Sequence, residues 1–195
     1  GDALALEAAR PLPEGQAITF RLAGARHEVL LPLPGRFQAD NALLALMLAI
    51  TTGVADQAAM AALARLQGVR GRMERAAILP NGAAIYVDYA HTPDALTRLL
   101  AALRPHVAGQ LHVLFGAGGD RDPGKRPLMG RAAAEAADRV WITDDNPRSE
   151  DPAMIRAAVF QGCPAAVDAG AREEAIAKAM GCLLYTSPSP RDRQK

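Results

Sequence analysis

Aromatic side chains are scarce. They make up 4% of 195 residues and include a single Trp, although half the chain is hydrophobic and Ala is abundant. A core with few large rings has to be built from closely spaced helices. Cysteine is nearly absent too: Cys163 and Cys182 fit neither a metal-ligand spacing nor a disulfide framework, which points to a reducing compartment. No excess of one charge exists, since 22 basic and 21 acidic residues leave a net +1 and no electrostatic case for nucleic acid or an anionic membrane. No apolar run approaches the roughly 20 residues of a membrane span, and nothing reads as a signal peptide. Two phosphate-binding signatures are missing as well. Arg121 stands where G-x-G-x-x-G would need its last Gly after Gly116 and Gly118, and no G-x-x-x-x-G-K-[ST] occurs. The expectation left is a soluble, cytoplasmic α/β protein.

The ends are unusual. The opening, GDALALEAARPLPEGQ, has neither an initiator Met nor a natural domain start. The close, CLLYTSPSPRDRQK, switches abruptly from Ala-rich helix to Ser, Pro and Arg. It is similar to translated sequencing-adapter sequence, so residues 182–195 are expected to be a non-native, disordered tail, with the natural C-terminus missing.

Local patterning divides the rest in two. Residues 17–35 alternate Ile18, Phe20 and Leu22 on one side of a hairpin with AGAR at its turn. A buried helix is expected over 39–53, with Asp40 or Asn41 near its start, and a second over 56–67 capped by Asp56. GVRGRMERA, residues 68–76, is polar and suits a linker. Strand, loop and helix then alternate: strands over 83–90, 111–116 and 139–143, helices over 93–105, 125–137 and 151–162, and a fourth unit ending in a helix over 171–180. Continuous apolar strands between helices predict an α/β domain around a parallel sheet covered on both faces.

In such a sheet ligands bind beyond the carboxyl ends of the strands, and the polar residues cluster there. DYAHTP places Asp88 and His91 where they could hold a ribose, a metal-bound phosphate or a proton, or simply a loop hydrogen bond. GAGGDRDPGKRP supplies Arg121, Lys125 and Arg126, which suits an anion clamp as well as it suits a solvated loop. DDNPRSED sets Asp145 and Arg148 in a rigid Asn-Pro turn. A carboxylate and a guanidinium so placed complement a zwitterion, ammonium to Asp145 and carboxylate to Arg148, and a free amino acid is the simplest such ligand. Asp151, just before Pro152, reads as a helix N-cap, while Asp144 and Glu150 find no role.

GRFQADNALLA, VRGRMERA, VDYAHTPDAL, FGAGGDRDPGKRPLM and TDDNPRSEDP occur in the order in which the Mur ligase family carries them, so residues 15–180 resemble that family. DYAHTP alone is also similar to folylpolyglutamate synthetases. The resemblance implies the end of a central ATPase domain over residues 1–69 and most of a Rossmann-like C-terminal domain over residues 70–181. It implies an ATP-dependent ligase of peptidoglycan precursor synthesis. ATP, with Mg2+, activates the carboxylate of a UDP-linked peptide as an acyl phosphate, and the amine of an incoming amino acid attacks it. The main ATP and Mg2+ sites would lie upstream, so this piece alone is expected to be inactive and to hold no metal.

The resemblance also implies site residues. In members that add meso-diaminopimelate to UDP-N-acetylmuramoyl-L-alanyl-D-glutamate, the DNPR segment binds that amino acid, so Asp145, Asn146, Pro147 and Arg148 inherit the role, joined by Arg121. Lysine lacks the second carboxylate, and Arg148 favours diaminopimelate. Asn41 matches an adenine contact, and Arg72 and Asp88 match contacts to ATP phosphate and ribose. Gln38 (where the family commonly has Asn), His91 and Lys125 would be ancillary. Further amino-acid contacts of the family fall beyond residue 181, which leaves the pocket incomplete. Small molecules would be the only partners, with no nucleic acid, no membrane and a monomeric state. Two alternatives stay open: a Mur-type or folylpolyglutamate-type ligase with another acceptor, and a binding module without catalysis.

Overall fold

Ile18, Phe20 and Leu22 do alternate with more exposed neighbours. In the computed structural model, which describes residues 4–186, they are buried on β2, Gly15–Leu22. β2 is the middle strand of an antiparallel sheet, between β1 (Leu4–Leu12) and β3 (Ala25–Leu31). The β2–β3 turn is Ala23–Gly24, both with positive φ (49° and 86°), the backbone twist that a tight hairpin requires. β1 was not foreseen. Its register shifts between Leu6 and Ala8, so its inward residues Leu4, Leu6 and Ala9 do not keep a period of two.

Gln16 is buried, and its Nε2 donates to the carbonyls of Leu33 and Gly35 at 2.8 Å each, which ties down the connection into α1, Arg36–Thr51. α1 starts three residues earlier than the sequence suggested, with Gly35 at its N-cap, so Asp40 and Asn41 lie in its second turn. α2 (Asp56–Leu63) is shorter than expected, and Asp56 is its first helical residue instead of its cap: Ala55 holds the N-cap position without a side-chain hydrogen bond. Ala39, Ala42, Leu43 and Leu46 of α1 and Ala59 and Leu63 of α2 close one core with Ile18, Phe20 and Leu31 of the sheet. Small helical residues at the contact do permit the close approach that the shortage of aromatics implied.

The chain divides into two compact units, Gly1–Met73 and Glu74–Lys195. The second opens with β4 (Glu74–Ile78) and β5 (Ala84–Val87), antiparallel partners in a sheet of their own. Two readings are corrected here. Residues 74–76 belong to a strand rather than a linker, and the strand before DYAHTP pairs with β4 instead of joining the parallel sheet. α3 (Pro93–Leu103) follows, with the Thr92 hydroxyl accepting from the Ala95 N–H and Pro at its first position.

The parallel sheet has the order β6 (His112–Phe115), β7 (Arg139–Thr143), β8 (Val167–Gly170). Four successive β7 residues, Val140 to Thr143, are buried, as expected for a central strand covered on both faces. Trp141 packs with Ala175 and Ala179 of α6 (Arg172–Thr186), and its neighbours Val140 and Ile142 face the other way. α4 (Lys125–Ala136) and α5 (Pro152–Phe160) complete the unit and pack against each other. Their backbones meet at Gly130, where a Cβ would stand 2.2 Å from the Val159 carbonyl oxygen. α6 runs through residues 182–186, which the sequence reading assigned to a disordered tail; residues 187–195 lie outside the described part. The connection from α4 into β7 is tied to the start of β6, where Asp138 accepts from the Leu111 N–H at 2.6 Å.

Candidate functional site

Two strand-to-helix loops, one after β6 and one after β7, meet beyond the carboxyl ends of the parallel strands. Their contact begins in the backbone, where the Gly119 N–H donates to the Asn146 carbonyl at 2.9 Å. A Cβ on Gly119 would lie 1.8 Å from the Pro147 carbonyl oxygen, so only glycine fits that crossing. The Arg148 guanidinium donates back to the Gly119 carbonyl. Asp120 accepts from the Ser149 hydroxyl at 2.6 Å, and its own N–H donates to Glu150 at 2.6 Å. Asp120 and Arg148 both hold positive φ, near 50° and 52°, a conformation that ordinary residues adopt only where surroundings enforce it.

Beneath this crossing lies Arg126. It was read as part of an anion clamp, and the structure corrects that reading. Its side chain is 6% exposed and both its Nη groups reach Glu150, at 2.7 and 2.8 Å, with a longer contact to the Gly118 carbonyl. Its hydrogen bonds to Glu150 hold the guanidinium pKa above its ordinary value despite burial. In return Arg126, and then the Asp120 N–H, hold the Glu150 carboxyl below the usual carboxylate range. Arg126 is therefore already neutralised.

Arg121 is different: it is exposed, and no hydrogen bond or ion pair engages its side chain among the described residues. It shares a neighbourhood with Arg148. A Cβ built on Gly118 would lie 3.2 Å from Arg148 Nη1 and 3.9 Å from Arg121 Cγ, so the two arginines flank one glycine. Lys125 is exposed at the start of α4.

A second network supports the far side of the DNPR turn. Arg156 of α5, mostly buried, pairs with Asp144 and, at 2.8 Å, with Asp168. Burial works against its charge, but the two carboxylates outweigh it and raise the guanidinium above its ordinary pKa. Arg172, at the start of α6, donates to the Asp144 carbonyl at 3.2 Å and lies 3.3 Å from Asp145 Oδ1. Asp145 is 48% exposed and so remains open to a ligand on its other side. Ala117, Asp145, Pro147, Ile155 and Arg156 are among the residues lining a shallow surface crevice.

The structure thus brings Arg121, Asp145, Asn146, Pro147 and Arg148 to one end of the parallel sheet. Asp88 and His91 sit elsewhere in the same unit, on the turn entering α3. There the Asp88 carboxylate accepts the Ala90 N–H at 2.8 Å, and His91 bonds the Tyr89 carbonyl at 2.9 Å and meets the Tyr89 ring edge-on. Gln38, partly exposed, and Asn41, exposed, occupy the first turns of α1, in the other unit, as does exposed Arg72 near that unit's end. No group of three or more His, Cys, Asp or Glu side chains placed to hold a metal occurs among the described residues.

Residues 71–186 match the family profile described as Mur ligase, glutamate ligase domain. The chain belongs to the Mur ligase family. It is 49% identical over 183 residues to the UDP-N-acetylmuramoyl-L-alanyl-D-glutamate–2,6-diaminopimelate ligase of Caulobacter vibrioides, covering 94% of this chain and 38% of that protein. It is 54% identical over 167 residues to the ligase of the same name from Zymomonas mobilis, covering 86% and 34%. A solved structure of a ligase so named superposes with a TM-score of 0.68 at 34% identity, over 96% of this chain and 38% of that one. Mycobacterium tuberculosis folylpolyglutamate synthase complexed with ADP gives 0.68 at 24% identity over 93% of this chain and 41% of that one, a likeness of fold alone. The chain spans 38% and 34% of the length of those two curated relatives. No helix among the described residues is long and apolar enough to cross a membrane.

For a Mur ligase chain read from sequence alone, the exposed candidate residues were the legible ones. Asp144, Glu150, Arg156 and Arg172 were left without a role or unremarked. Arg126 and Glu150 are 24 positions apart, and no periodicity or local spacing pairs them. The one available signal was charge excess: DDNPRSED holds four carboxylates against one Arg, and the structure finds partners elsewhere for Asp144 and Glu150.

Proposed function

We propose that this chain is part of an ATP-dependent ligase that joins meso-diaminopimelate to UDP-N-acetylmuramoyl-L-alanyl-D-glutamate during peptidoglycan precursor synthesis. The observation that carries the reading is the meeting of Arg121 and Arg148 over Gly118, beside the half-exposed Asp145. Two guanidinium groups at one strand end suit a ligand with two carboxylates, and Asp145 supplies the opposite charge for an ammonium. Ligases bearing that name at 49% and 54% identity support the same acceptor.

In this reading the acceptor peptide's carboxylate takes the γ-phosphoryl group of ATP, releasing ADP, and becomes an acyl phosphate. The neutral amine of diaminopimelate attacks the acyl carbon, a C–N bond replaces the C–O bond to phosphate, and phosphate and the amine's proton leave. Asn146 and Arg148 orient the amino acid through its carboxylate, Pro147 keeps the turn rigid, and Arg121 engages the other carboxylate. Asp145 steadies the ammonium of the resting substrate, while Arg172 beside it keeps the carboxylate oriented. Asn41, Arg72 and Asp88, with Gln38, His91 and Lys125 as ancillary groups, are assigned to the nucleotide. Magnesium would accompany ATP in this chemistry, and no cluster of metal-ligating side chains occurs among the described residues.

The test is an acceptor screen on the complete ligase that contains this chain, supplied with ATP, magnesium and the UDP-dipeptide. Amide formation with meso-diaminopimelate far above that with L-lysine is the expected result. Preference for lysine, or for glutamate in the manner of a folylpolyglutamate-type enzyme, would sink the assignment.

A further inference from the structure

Among the described residues, Arg126 is the one charged residue among the buried polar side chains, at 5% exposure, beside Gln16 and Thr143. A buried guanidinium is costly unless paired with good geometry, so its partner is informative. Both Nη groups grip the Glu150 carboxylate in a fork, at 2.7 and 2.8 Å. Such bidentate pairs add geometric definition to strength.

The two partners differ in footing. Arg126 is the second residue of α4, whose Met129, Gly130 and Ala133 are packed into the unit, so it is anchored to a fixed body. Glu150 lies at the far end of the DNPR turn, two residues after Arg148, and just before the Asp151 cap of α5. Its Oε1 also receives the Asp120 N–H at 2.6 Å, and Asp120 immediately precedes Arg121. One carboxylate therefore holds both the turn that carries Arg148 and the loop that carries Arg121. Two further side-chain ties join the loops: the Arg148 guanidinium to the Gly119 carbonyl, which is part-buried, and Ser149 to Asp120, which is exposed, and exposed polar contacts define geometry weakly.

We propose that the Arg126–Glu150 pair is a positioning and specificity-determining device: it sets the separation of the Arg121 and Arg148 guanidinium groups, and thereby the preference for an amino acid with two carboxylates over one with a single carboxylate. The proposal rests on the acceptor reading given above. Neither Arg126 nor Glu150 touches the substrate, since each is turned toward the other. They act through the spacing of two arginines that do. A pair fixed to α4 makes the site rigid before the ligand arrives, and supporting groups of this kind hold binding residues to the fraction of an ångström that selectivity needs.

The test uses the complete ligase with wild type, Glu150→Gln, Arg126→Lys and the double replacement Arg126→Met with Glu150→Met. The double variant guards against simple unfolding, because replacing both partners by apolar groups leaves neither buried Arg126 nor half-buried Glu150 as an uncompensated charge. Steady-state constants are read for diaminopimelate, lysine, ATP and the UDP-dipeptide, with the thermal midpoint of each variant. The expected result is a rise of at least 10-fold in KM for diaminopimelate and a fall of at least 10-fold in kcat/KM for diaminopimelate relative to lysine. KM for ATP should stay within about 2-fold, including in a double variant that melts near wild type. Arg126→Lys, which keeps charge but loses the fork, should fall between wild type and Glu150→Gln. An unchanged preference in the stable double variant would overturn the proposal, as would a parallel rise in every KM. Wild-type enzyme that ignores diaminopimelate would instead overturn the functional reading beneath it.

Discussion

Gly119 is the most constrained single residue in the site. The Pro147 carbonyl oxygen sits 1.8 Å from where its Cβ would be, and the three nearest atoms are all Pro147 backbone, so none can rotate away. Gly119→Ala should part the two loops, at a cost of about 1–3 kcal/mol for overpacking. A lower thermal midpoint together with a raised KM for diaminopimelate would show it, and unchanged values of both would refute it. Arg148 invites the complementary experiment. Arg148→Ala removes a charged hydrogen-bond partner worth about 1.5–3 kcal/mol, so kcat/KM for diaminopimelate should fall by roughly 10- to 150-fold. An unaffected kcat/KM would remove Arg148 from the site. Glu150 makes a pH prediction. Its folded pKa is depressed, first by Arg126 and then by the Asp120 N–H, so the stabilisation is complete above the ordinary glutamate value of about 4.3 and is lost as pH falls through the lower folded value. The Asp120 amide resonance should therefore hold its position down to about that ordinary pKa and move only below it. A midpoint at or above the ordinary value would mean that the pair does not form in solution.

At the scale of elements, the ends of α5 and β7 show how local chemistry sets a site. β7 was legible to the residue as 139–143, because RVWIT is a short apolar, partly β-branched run stopped by acids. Asp151 caps α5 as its position before Pro152 suggested, accepting the Ala153 N–H at 2.8 Å. Asp151→Ala should cost about 1 kcal/mol in chemical denaturation, and a value near zero would mean that another group caps the helix. Elements that depend on distant partners were not legible. β4 was hidden in a polar, Gly- and Arg-rich stretch and exists because β5 pairs with it across a shifted register between Arg75 and Ala77. β1 was hidden for the same reason, since its bulge breaks the alternation that announces a strand. α2 ended early and uncapped because nothing in DQAAMAALARLQ marks where its packing stops.

For the whole molecule, the core of the first unit draws only on that unit: Ile18, Phe20 and Leu31 with α1 and α2. The cluster around Trp141 draws only on the second. A chain of residues 74–195 should consequently fold without the first unit and reproduce the amide spectrum of those residues in the full chain. A spectrum collapsed to random-coil shifts would show that the first unit is needed. By itself the sequence determined the class of fold, the family and the exposed groups of the candidate site, because each is written in local signals: apolar periodicity, Gly and Pro at turns, and short motifs with charge. Only the tertiary structure decided which charges are spent. Arg126, Arg156, Asp144 and Glu150 look in sequence like ligand-binding groups or surface decoration, and in the folded chain each is paired with a residue 12 or 24 positions away. The Arg126–Glu150 pairing depends on two separate strand-to-helix connections arriving at the same end of one sheet, a distance in space that no distance along the chain encodes.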